Sequence, residues 1–186
     1  MGFHTFDAAK AAKLDDPAAR YRYVSAEELV WAVGATGTAT LADLGSGTGF
    51  YTDDVAAHAE TVYGVDVQEA MHDHYRENGV PENVELVTAE VAALPFDDGE
   101  LDGAFSTMTF HEFADDDAIT EIARTVAADG RVAVADWSAD GAGEAGPPLA
   151  ERFGLEEAQA RFEAGGFEVE FGASRSETFL LVGRAP

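Results

Sequence analysis

The sequence predicts an α/β protein built on a doubly wound, mostly parallel sheet in three α/β/α layers. Three observations support this prediction. Short apolar runs alternate along the chain with segments of helical periodicity. The apolar run at 41–44 ends in a glycine-rich turn that leads into a helical segment, as in open α/β sheets that bind nucleotide-like ligands. The runs at 167–171 and 178–182 are joined by a short turn, which predicts an antiparallel closing strand.

The individual elements can be assigned in chain order. Residues 1–24 have mixed composition and are expected to form an arm or short helices. Ser25, with Glu28 three residues later, predicts a capped helix that ends at Gly34. Five further strands are predicted near 40–44, 61–65, 84–88, 101–107 and 130–136. Helices are predicted near 50–59, 68–78, 116–127 and 155–164.

These elements predict a single domain over residues 1–186, with 1–39 as an N-terminal helical arm or lid and 40–186 as the ligand-binding core. The chain has no cysteine, which excludes disulfides, thiolate metal sites and cysteine nucleophiles. It has no apolar run long enough for a membrane span and no secretory signal pattern. We therefore expect a cytoplasmic protein with no membrane partner.

The charge of the chain is extreme, with 36 acidic against 11 basic residues and a net charge of −25. Two interpretations are open: adaptation of the surface to a salty cytoplasm, or an acidic patch that binds a basic partner. The acids are spread along the chain rather than collected in a tail, which favours the first. Clusters of Lys and Arg are absent, so nucleic acid is not an expected partner.

The glycine-rich turn at 45–49 indicates what kind of ligand the core binds. Its glycines are Gly45, Gly47 and Gly49, whereas a dinucleotide-binding loop would place the third glycine at position 50, where this chain has Phe50. Asp43, two residues before the first glycine, would repel a pyrophosphate but attract an ammonium group. This favours a ligand with adenosine at one end and a zwitterionic amino acid at the other, and S-adenosylmethionine fits that description.

A carboxylate follows the next predicted strand. Asp66 ends the apolar run at 62–66, about 20 residues after the glycine turn, where an acid can accept hydrogen bonds from a ribose diol. The alternative is that Asp66 caps the helical segment that starts at Gln68.

Taken together, the motifs resemble those of class I S-adenosylmethionine-dependent methyltransferases. The matching segments occur in the family's order, at 41–49, 62–66, 87–90 with 94–96, 101–106 and 130–136. The resemblance covers roughly residues 25–184. It implies a Rossmann-like fold, S-adenosylmethionine as the cofactor, and methyl transfer as the activity.

The resemblance also implies a set of cofactor-binding residues. They are Asp43, Gly45, Ser46, Gly47, Gly49, Asp66, Val67, Met71, Ala89, Glu90, Val91 and Ser106. Val67 and Met71 would pack on adenine, although both are equally consistent with the core. Glu90, with the neighbouring backbone, would meet the adenine amino edge, or else be a solvated carboxylate. Asp43 would orient the methionyl ammonium, directly or through water, or else cap the turn.

The segment at 106–113 follows the fourth strand, where donor and acceptor would meet. Family members that methylate exocyclic amino groups of nucleic acid bases carry an Asn/Asp-Pro-Pro-aromatic motif here, and this chain lacks it. His111 is instead a candidate general base for an acceptor hydroxyl or amine, the alternatives being a helix cap or packing on adenosine. The other histidines are scattered, so we expect no metal site.

Two further segments have open interpretations. The Gly- and Pro-rich stretch at 138–148 is either a plain connector or a flap over the substrate. The arm residues Phe3, Phe6, Tyr21 and Tyr23, with Arg20 and Arg22, either form a substrate lid or close the core.

The leading hypothesis is therefore methyl transfer from S-adenosylmethionine to a small-molecule acceptor. One rival is a nicotinamide-dependent oxidoreductase on the same kind of sheet. The other is a domain that binds the cofactor or a protein partner without turnover. The acceptor and the oligomeric state are left open.

Overall fold

A computed structural model of the chain describes residues 8–186. Its strands are β1 Thr40–Leu44, β2 Thr61–Asp66, β3 Val84–Thr88, β4 Leu101–Thr107, β5 Val126–Trp137, β6 Glu168–Ser174 and β7 Thr178–Arg184. Its α-helices are α1 Pro17–Arg20, α2 Ala26–Val33, α3 Phe50–Ala56, α4 Glu69–Asn78, α5 Phe110–Phe113, α6 Asp116–Thr125 and α7 Leu155–Ala164. Short 3-10 helices cover Ala8–Asp15, Val91–Ala93 and Leu149–Glu151.

The strands form one seven-stranded sheet in the order β3-β2-β1-β4-β5-β7-β6. The pairs from β3 across to β5 are parallel, and β7 is antiparallel to both β5 and β6. The predicted fold class, including the antiparallel finish, is confirmed. Since β1 has β2 on one side and β4 on the other, the chain reverses its direction of winding at β1, and such a switch point opens a crevice at the carboxyl ends of the strands.

The sheet is covered on both faces because side chains alternate along each strand. Along β1, Leu41 packs into one apolar cluster with α2 and α3, whereas Ala42 and Leu44 pack into a second cluster with α6 and α7. Strand β7 is buried along almost its whole length, while the edge strand β6 is mostly exposed. The core therefore lies in two layers, one on each side of the central strands.

The predicted helix caps are present. The Ser25 hydroxyl accepts a hydrogen bond from the Glu28 amide at 3.2 Å, and Gly34 ends α2 in the left-handed conformation with φ 70°. In the same way the Asp115 carboxylate accepts a hydrogen bond from the Ala118 amide at 2.8 Å and starts α6.

Two predicted boundaries differ from the structure. Helix α3 ends at Ala56 rather than near 59, and the Asn83 side chain donates to the carbonyls of Ala56 and Ala59 in the turn that follows. Strand β5 begins at Val126 rather than 130, because Val126 pairs with Leu101 before a register shift in β4. Long-range pairing thus overrides the local helical pattern at 126–127.

None of the helices within residues 8–186 has the length and apolarity needed to cross a bilayer.

Candidate active site

A cavity of about 800 Å³ opens where the carboxyl ends of β1, β2, β4 and β5 meet. Ten of the predicted site residues line it: Gly45, Ser46, Gly47, Asp66, Val67, Met71, Ala89, Glu90, Val91 and His111. The other three, Asp43, Gly49 and Ser106, lie outside the lining. Further lining residues include Leu14, Arg20, Met108, Phe113, Trp137, Gly146, Pro147 and Glu151.

The glycine loop after β1 is held against β2 by backbone hydrogen bonds. The amides of Gly45 and Ser46 both donate to the carbonyl of Val65, at 2.8 and 2.9 Å. Gly47 has φ 55°, and a Cβ built there would meet only the side chain of Leu14, at 3.7 Å. The loop therefore presents bare backbone to the cavity at Gly47, which suits close approach of a ligand.

Gly49 has a different role. It has φ 84°, and a Cβ there would lie 2.0 Å from the Tyr75 ring, which packs directly against the backbone. The Tyr75 hydroxyl donates to the Asp53 carboxylate at 2.5 Å. Gly49 is thus required for packing of α4 against α3, and the structure does not bring it to the cavity wall.

Asp66 lies at the end of β2, and both of its carboxylate oxygens accept hydrogen bonds from backbone amides. The Gly47 amide donates to Oδ2 and the Gln68 amide to Oδ1, each at 2.9 Å. Asp66 therefore joins the glycine loop to the turn before α4, but it does not cap that helix, whose N-cap position is Gln68. Because an ionised carboxylate has about four acceptor positions, lone pairs remain for a ribose diol.

The predicted adenine side of the cavity combines an apolar surface with a carboxylate. Val67 is 50% exposed, which is high for an apolar side chain that lines a cavity. Met71, on α4, is buried, and Glu90 directly precedes the short helix Val91–Ala93. A flat aromatic ring would cover the exposed apolar surface of Val67.

Asp43 is buried behind the glycine loop. The Thr52 hydroxyl donates to its Oδ2 at 2.7 Å, while Oδ1 has no hydrogen-bond partner among the described residues. Burial raises the pKa of Asp43 to about 7, although the Thr52 hydrogen bond and the nearby charge of Arg20 act in the opposite direction. Ser106 is likewise buried, and its hydroxyl has no hydrogen-bond partner within the described part of the chain.

His111 forms a buried pair with Asp136 at the end of β5. The His111 amide donates to Asp136 Oδ2 at 2.7 Å, and the ring Nδ1 lies 3.0 Å from both carboxylate oxygens. The Trp137 amide also donates to the carboxylate, at 2.8 Å. These contacts favour the tautomer with the proton on Nδ1, so Nε2 carries the lone pair of the neutral ring.

The environment of His111 affects its pKa in two opposing ways. Burial alone would lower the pKa, but the hydrogen bond and the charge of Asp136 outweigh burial and raise it above its usual value. The nearby Glu112, with Oε1 4.0 Å from Nε2, adds to the rise.

Met108, at the end of β4, has φ 60°, a conformation rare for residues other than glycine and frequent at functional sites.

Sequence reasoning missed Asp136 as a site residue. The signal was available, because Asp136 lies at the carboxyl end of an apolar strand, as Asp66 does, and the carboxyl ends of parallel strands share one edge. Its pairing with His111 was not available, since it depends on the register of β4 with β5.

The segment at 138–148 supplies part of the cavity wall through Gly146 and Pro147. It is held by a buried ion pair between Arg152 and Glu177, at 3.3 Å. Arg152 also donates to the carbonyls of Pro147 and Ala145, while Glu177 accepts from the backbone amides at 143 and 144. The segment is thus anchored to the core and borders the site.

The N-terminal arm also borders the cavity, through Leu14 and Arg20. Asp15 accepts hydrogen bonds from the Thr48 hydroxyl at 2.5 Å and the Asn78 amide at 3.1 Å, and it lies 2.9 Å from Nε2 of His74. Tyr21 packs on Phe50, and Tyr23 on Trp137. Phe3 and Phe6 lie outside the described residues. The described part of the arm therefore both closes the core and lines the cavity.

Comparisons with known proteins agree on one family. The sequence model of a family described as "Methyltransferase domain" matches residues 42–134. Two curated relatives are each 32% identical: an uncharacterized methyltransferase-like protein of Schizosaccharomyces pombe and the biotin biosynthesis bifunctional protein BioHC of Cellvibrio japonicus. The matches cover 51% and 53% of this chain, but only 37% and 19% of the relatives. This chain therefore spans less than half the length of either.

Solved structures match over nearly the whole chain. A SAM-dependent methyltransferase from Aquifex aeolicus has a TM-score of 0.89 at 28% identity, covering 98% of this chain and 100% of that one. A Haloferax volcanii structure, described as a complex between the Trm112 methyltransferase activator and a methyltransferase, has a TM-score of 0.82 at 20% identity with the same coverage. The second likeness shows the fold alone.

Proposed function

This chain belongs to the methyltransferase domain family and is a methyltransferase that uses S-adenosylmethionine, and we propose that its acceptor is a small molecule methylated by in-line displacement at the sulfonium methyl. One observation carries the proposal. A single cavity connects the glycine loop and Asp66 at one end with the buried His111–Asp136 pair at the other. A ligand that fills the first end would present its reactive group toward the second.

The residues at the first end fit the cofactor. S-adenosylmethionine, when bound, supplies a methyl group on a positively charged sulfur. Gly47 leaves backbone open to a ligand, Asp66 keeps acceptor positions for a diol, and Val67 offers an exposed apolar surface to a ring. These residues hold and orient the cofactor. Such positioning raises the rate because it aligns the methyl donor with the acceptor and excludes water.

At the second end, His111 acts on the acceptor. Its Nε2 takes the proton of an acceptor hydroxyl or amine, and Asp136 holds the ring in the required tautomer. Because the Asp136 charge stabilises the imidazolium, it raises the basicity of His111 as well as orienting it. A correctly placed general base contributes roughly 10²–10⁴-fold to the rate.

A small acceptor is favoured over a macromolecule by the shape of the site and by the charge of the chain. The cavity is bordered both by the N-terminal arm and by the anchored segment 138–148. The net charge of −25 opposes binding of nucleic acid. The family match favours methyl transfer over the nicotinamide-dependent rival, and the His111–Asp136 pair favours turnover over simple binding. Cytoplasmic location and adaptation to high salt remain part of this proposal, supported by the dispersed acidic residues.

The test is a screen for methyl transfer. Phenols, amines and carboxylic acids are incubated with the chain and a labelled donor, with and without added Trm112, because the Haloferax volcanii neighbour was solved with that activator. In parallel, calorimetry compares binding of S-adenosylhomocysteine with binding of NAD. We expect micromolar-range affinity for S-adenosylhomocysteine, no response to NAD, and transfer to at least one small acceptor class. Binding of NAD alone would contradict the proposal, and so would transfer confined to nucleic acid.

A further inference from the structure

His111 and Glu112 place two polar atoms side by side in the wall of the cavity. Both residues line it, and Nε2 of His111 lies 4.0 Å from Oε1 of Glu112. The two side chains are only 9% and 17% exposed, so a charge between them is poorly screened by water. A molecule that occupies this end of the cavity therefore meets both atoms at close range.

Both atoms accept hydrogen bonds when the His111 ring is neutral. Since Nδ1 carries the proton toward Asp136, Nε2 presents a lone pair, and the oxygens of an ionised Glu112 can only accept. At 4.0 Å the two atoms are also beyond hydrogen-bond distance of each other. A ligand atom that contacts both atoms must therefore supply both hydrogens.

The separation of the two atoms fits a single ligand atom between them. An atom about 2.9 Å from each, the usual hydrogen-bond distance, can be placed because Nε2 and Oε1 are less than twice that distance apart. An ammonium nitrogen has two or three hydrogens and can donate to both. A hydroxyl has one hydrogen, so it donates to one atom and turns a lone pair toward the other. A carboxylate has none.

The charge of the cavity wall points in the same direction. The lining residues within 8–186 include five with a carboxylate but only one with a guanidinium, Arg20, and no lysine. The carboxylates are Asp66, Glu90, Glu112, Asp115 and Glu151. Such a wall attracts a cation and repels an anion.

We propose that Glu112 binds the nitrogen of the methyl acceptor, and that this acceptor is a primary or secondary amine, which enters as its ammonium ion. The inference rests on the proposed function, because it needs a bound methyl donor and His111 as the base. One N–H proton passes to Nε2, and Asp136 stabilises the imidazolium. The freed nitrogen lone pair forms the bond to the methyl carbon, while the electron pair of the broken carbon–sulfur bond stays on sulfur. The product is the N-methylated ammonium ion, and His111 returns its proton to water.

The first test compares methyl acceptors that differ only in the reacting group. Benzyl, 2-phenylethyl and butyl skeletons are each supplied as the amine, the alcohol and the carboxylic acid, with a labelled methyl donor, with and without Trm112. Calorimetry measures binding of the same compounds to the complex with S-adenosylhomocysteine. For at least one skeleton we expect the amine to bind, and to be methylated at least about tenfold faster than its alcohol and acid, the scale of one hydrogen bond to a charged group.

The second test changes Glu112. Glu112→Gln keeps the size of the side chain but removes its charge, so the dissociation constant of the amine should rise by roughly 10–100-fold. Binding of the alcohol should change by less than about threefold. Glu112→Asp keeps the charge but draws it back by one methylene, so it should lose less affinity. Since Glu112 also raises the pKa of His111, the pH profile of turnover is recorded for each variant.

The matched control is Asp117→Asn. Asp117 lies on α6, is exposed and does not line the cavity, and its replacement removes the same unit of charge as Glu112→Gln. It should leave amine binding unchanged. Circular dichroism and thermal melting establish that each variant is folded.

The remaining outcomes separate the inference from the proposed function. Faster transfer to the alcohols or acids than to the amines would overturn the inference and leave the proposed function standing. So would a complex with S-adenosylhomocysteine that binds none of the amines. A shifted pH profile with unchanged amine affinity in Glu112→Gln would show that Glu112 acts only through His111, which also overturns the inference. A wild-type protein that does not bind S-adenosylhomocysteine would overturn the proposed function, and this inference with it.

Discussion

The two ends of the cavity are built in different ways. At the end proposed to hold the cofactor (the cofactor end), a glycine loop and the end of β2 are joined by hydrogen bonds between the Asp66 carboxylate and the amides of Gly47 and Gln68. At the end proposed to hold the acceptor (the acceptor end), the central contact joins the side chains of His111 and Asp136, 25 residues apart on α5 and β5. The first end is shaped mostly by backbone, and the second mostly by side chains.

This difference has a consequence for function. A backbone-shaped site depends on a few positions of special geometry, such as Gly47, and it suits a ligand that does not vary. A side-chain-shaped site can be altered residue by residue while the sheet stays the same. The acceptor end, with Trp137 and Glu151 from flanking segments, is therefore where we expect specificity to be determined.

The largest expected effect is on turnover, and it distinguishes the roles of the two ends of the cavity. His111→Ala should lower turnover by roughly 10²–10⁴-fold, because it removes the base that accepts the acceptor's proton. Affinity for S-adenosylhomocysteine should stay nearly unchanged, as measured by calorimetry. In the wild type, turnover should rise with pH through the His111 pKa, with a midpoint above 6.5 because Asp136 raises that pKa.

Asp136→Asn provides the matched comparison for that experiment. It keeps the shape but removes the charge, so the pH profile should move to lower pH. An active His111→Ala enzyme with the wild-type profile would contradict the role of base, and would leave alignment as the means of catalysis.

The next effect should appear only at the cofactor end. Asp66→Ala should weaken binding of S-adenosylhomocysteine by about 1.5–3 kcal/mol, because a charged acceptor of ribose hydrogen bonds is lost. The circular dichroism spectrum should be retained. Gly47→Val should weaken binding more thoroughly, since a branched side chain would enter the space that the loop leaves open. Full affinity in a folded Asp66→Ala variant would reduce Asp66 to its turn contacts with Gly47 and Gln68.

The next effect is on stability rather than on binding, and it tests the buried Asp43 carboxyl behind the glycine loop. Asp43 has a pKa of about 7 in the folded protein against 3.8 ordinarily, so the folded state retains a proton that the unfolded state releases. The free energy of unfolding should therefore fall as pH rises between about 4 and 7. Asn cannot ionise, and Asp43→Asn should gain stability relative to the wild type between pH 4 and pH 7, by about 3 kcal/mol. Denaturant unfolding at several pH values measures this; a pH-independent difference would contradict it.

The smallest expected effect is on the melting temperature and concerns the whole molecule rather than one end of the cavity. Since 36 acids face 11 bases, raising KCl from dilute buffer to molar concentration should screen self-repulsion and raise the melting temperature, by roughly a few degrees. Differential scanning calorimetry checks this. A melting temperature that stays flat or falls would argue against adaptation to high salt.

How well the sequence predicted each feature depends on whether neighbouring residues form it or residues far apart in the chain. The glycine loop, Asp66 and the caps of α2 were predictable because each depends on neighbours a few residues away. The boundary at Val126 was predicted wrongly because pairing with β4 overrides a local helical pattern. Gly49 resembled a ligand contact in sequence, but the Tyr75 ring that occupies its open side comes from α4.

The sequence by itself determined the fold class, the order of the strands along the chain and the position of the cofactor loop. Strand periodicity and glycines at positive φ depend on residues that are close in the sequence, so both can be recognised from the sequence alone. Only the tertiary structure decided that His111 meets Asp136, and that Asp43 is buried with one carboxylate oxygen unpartnered among residues 8–186. Each of these depends on which residues the sheet register and helix packing bring together, and on which polar groups are thereby removed from water.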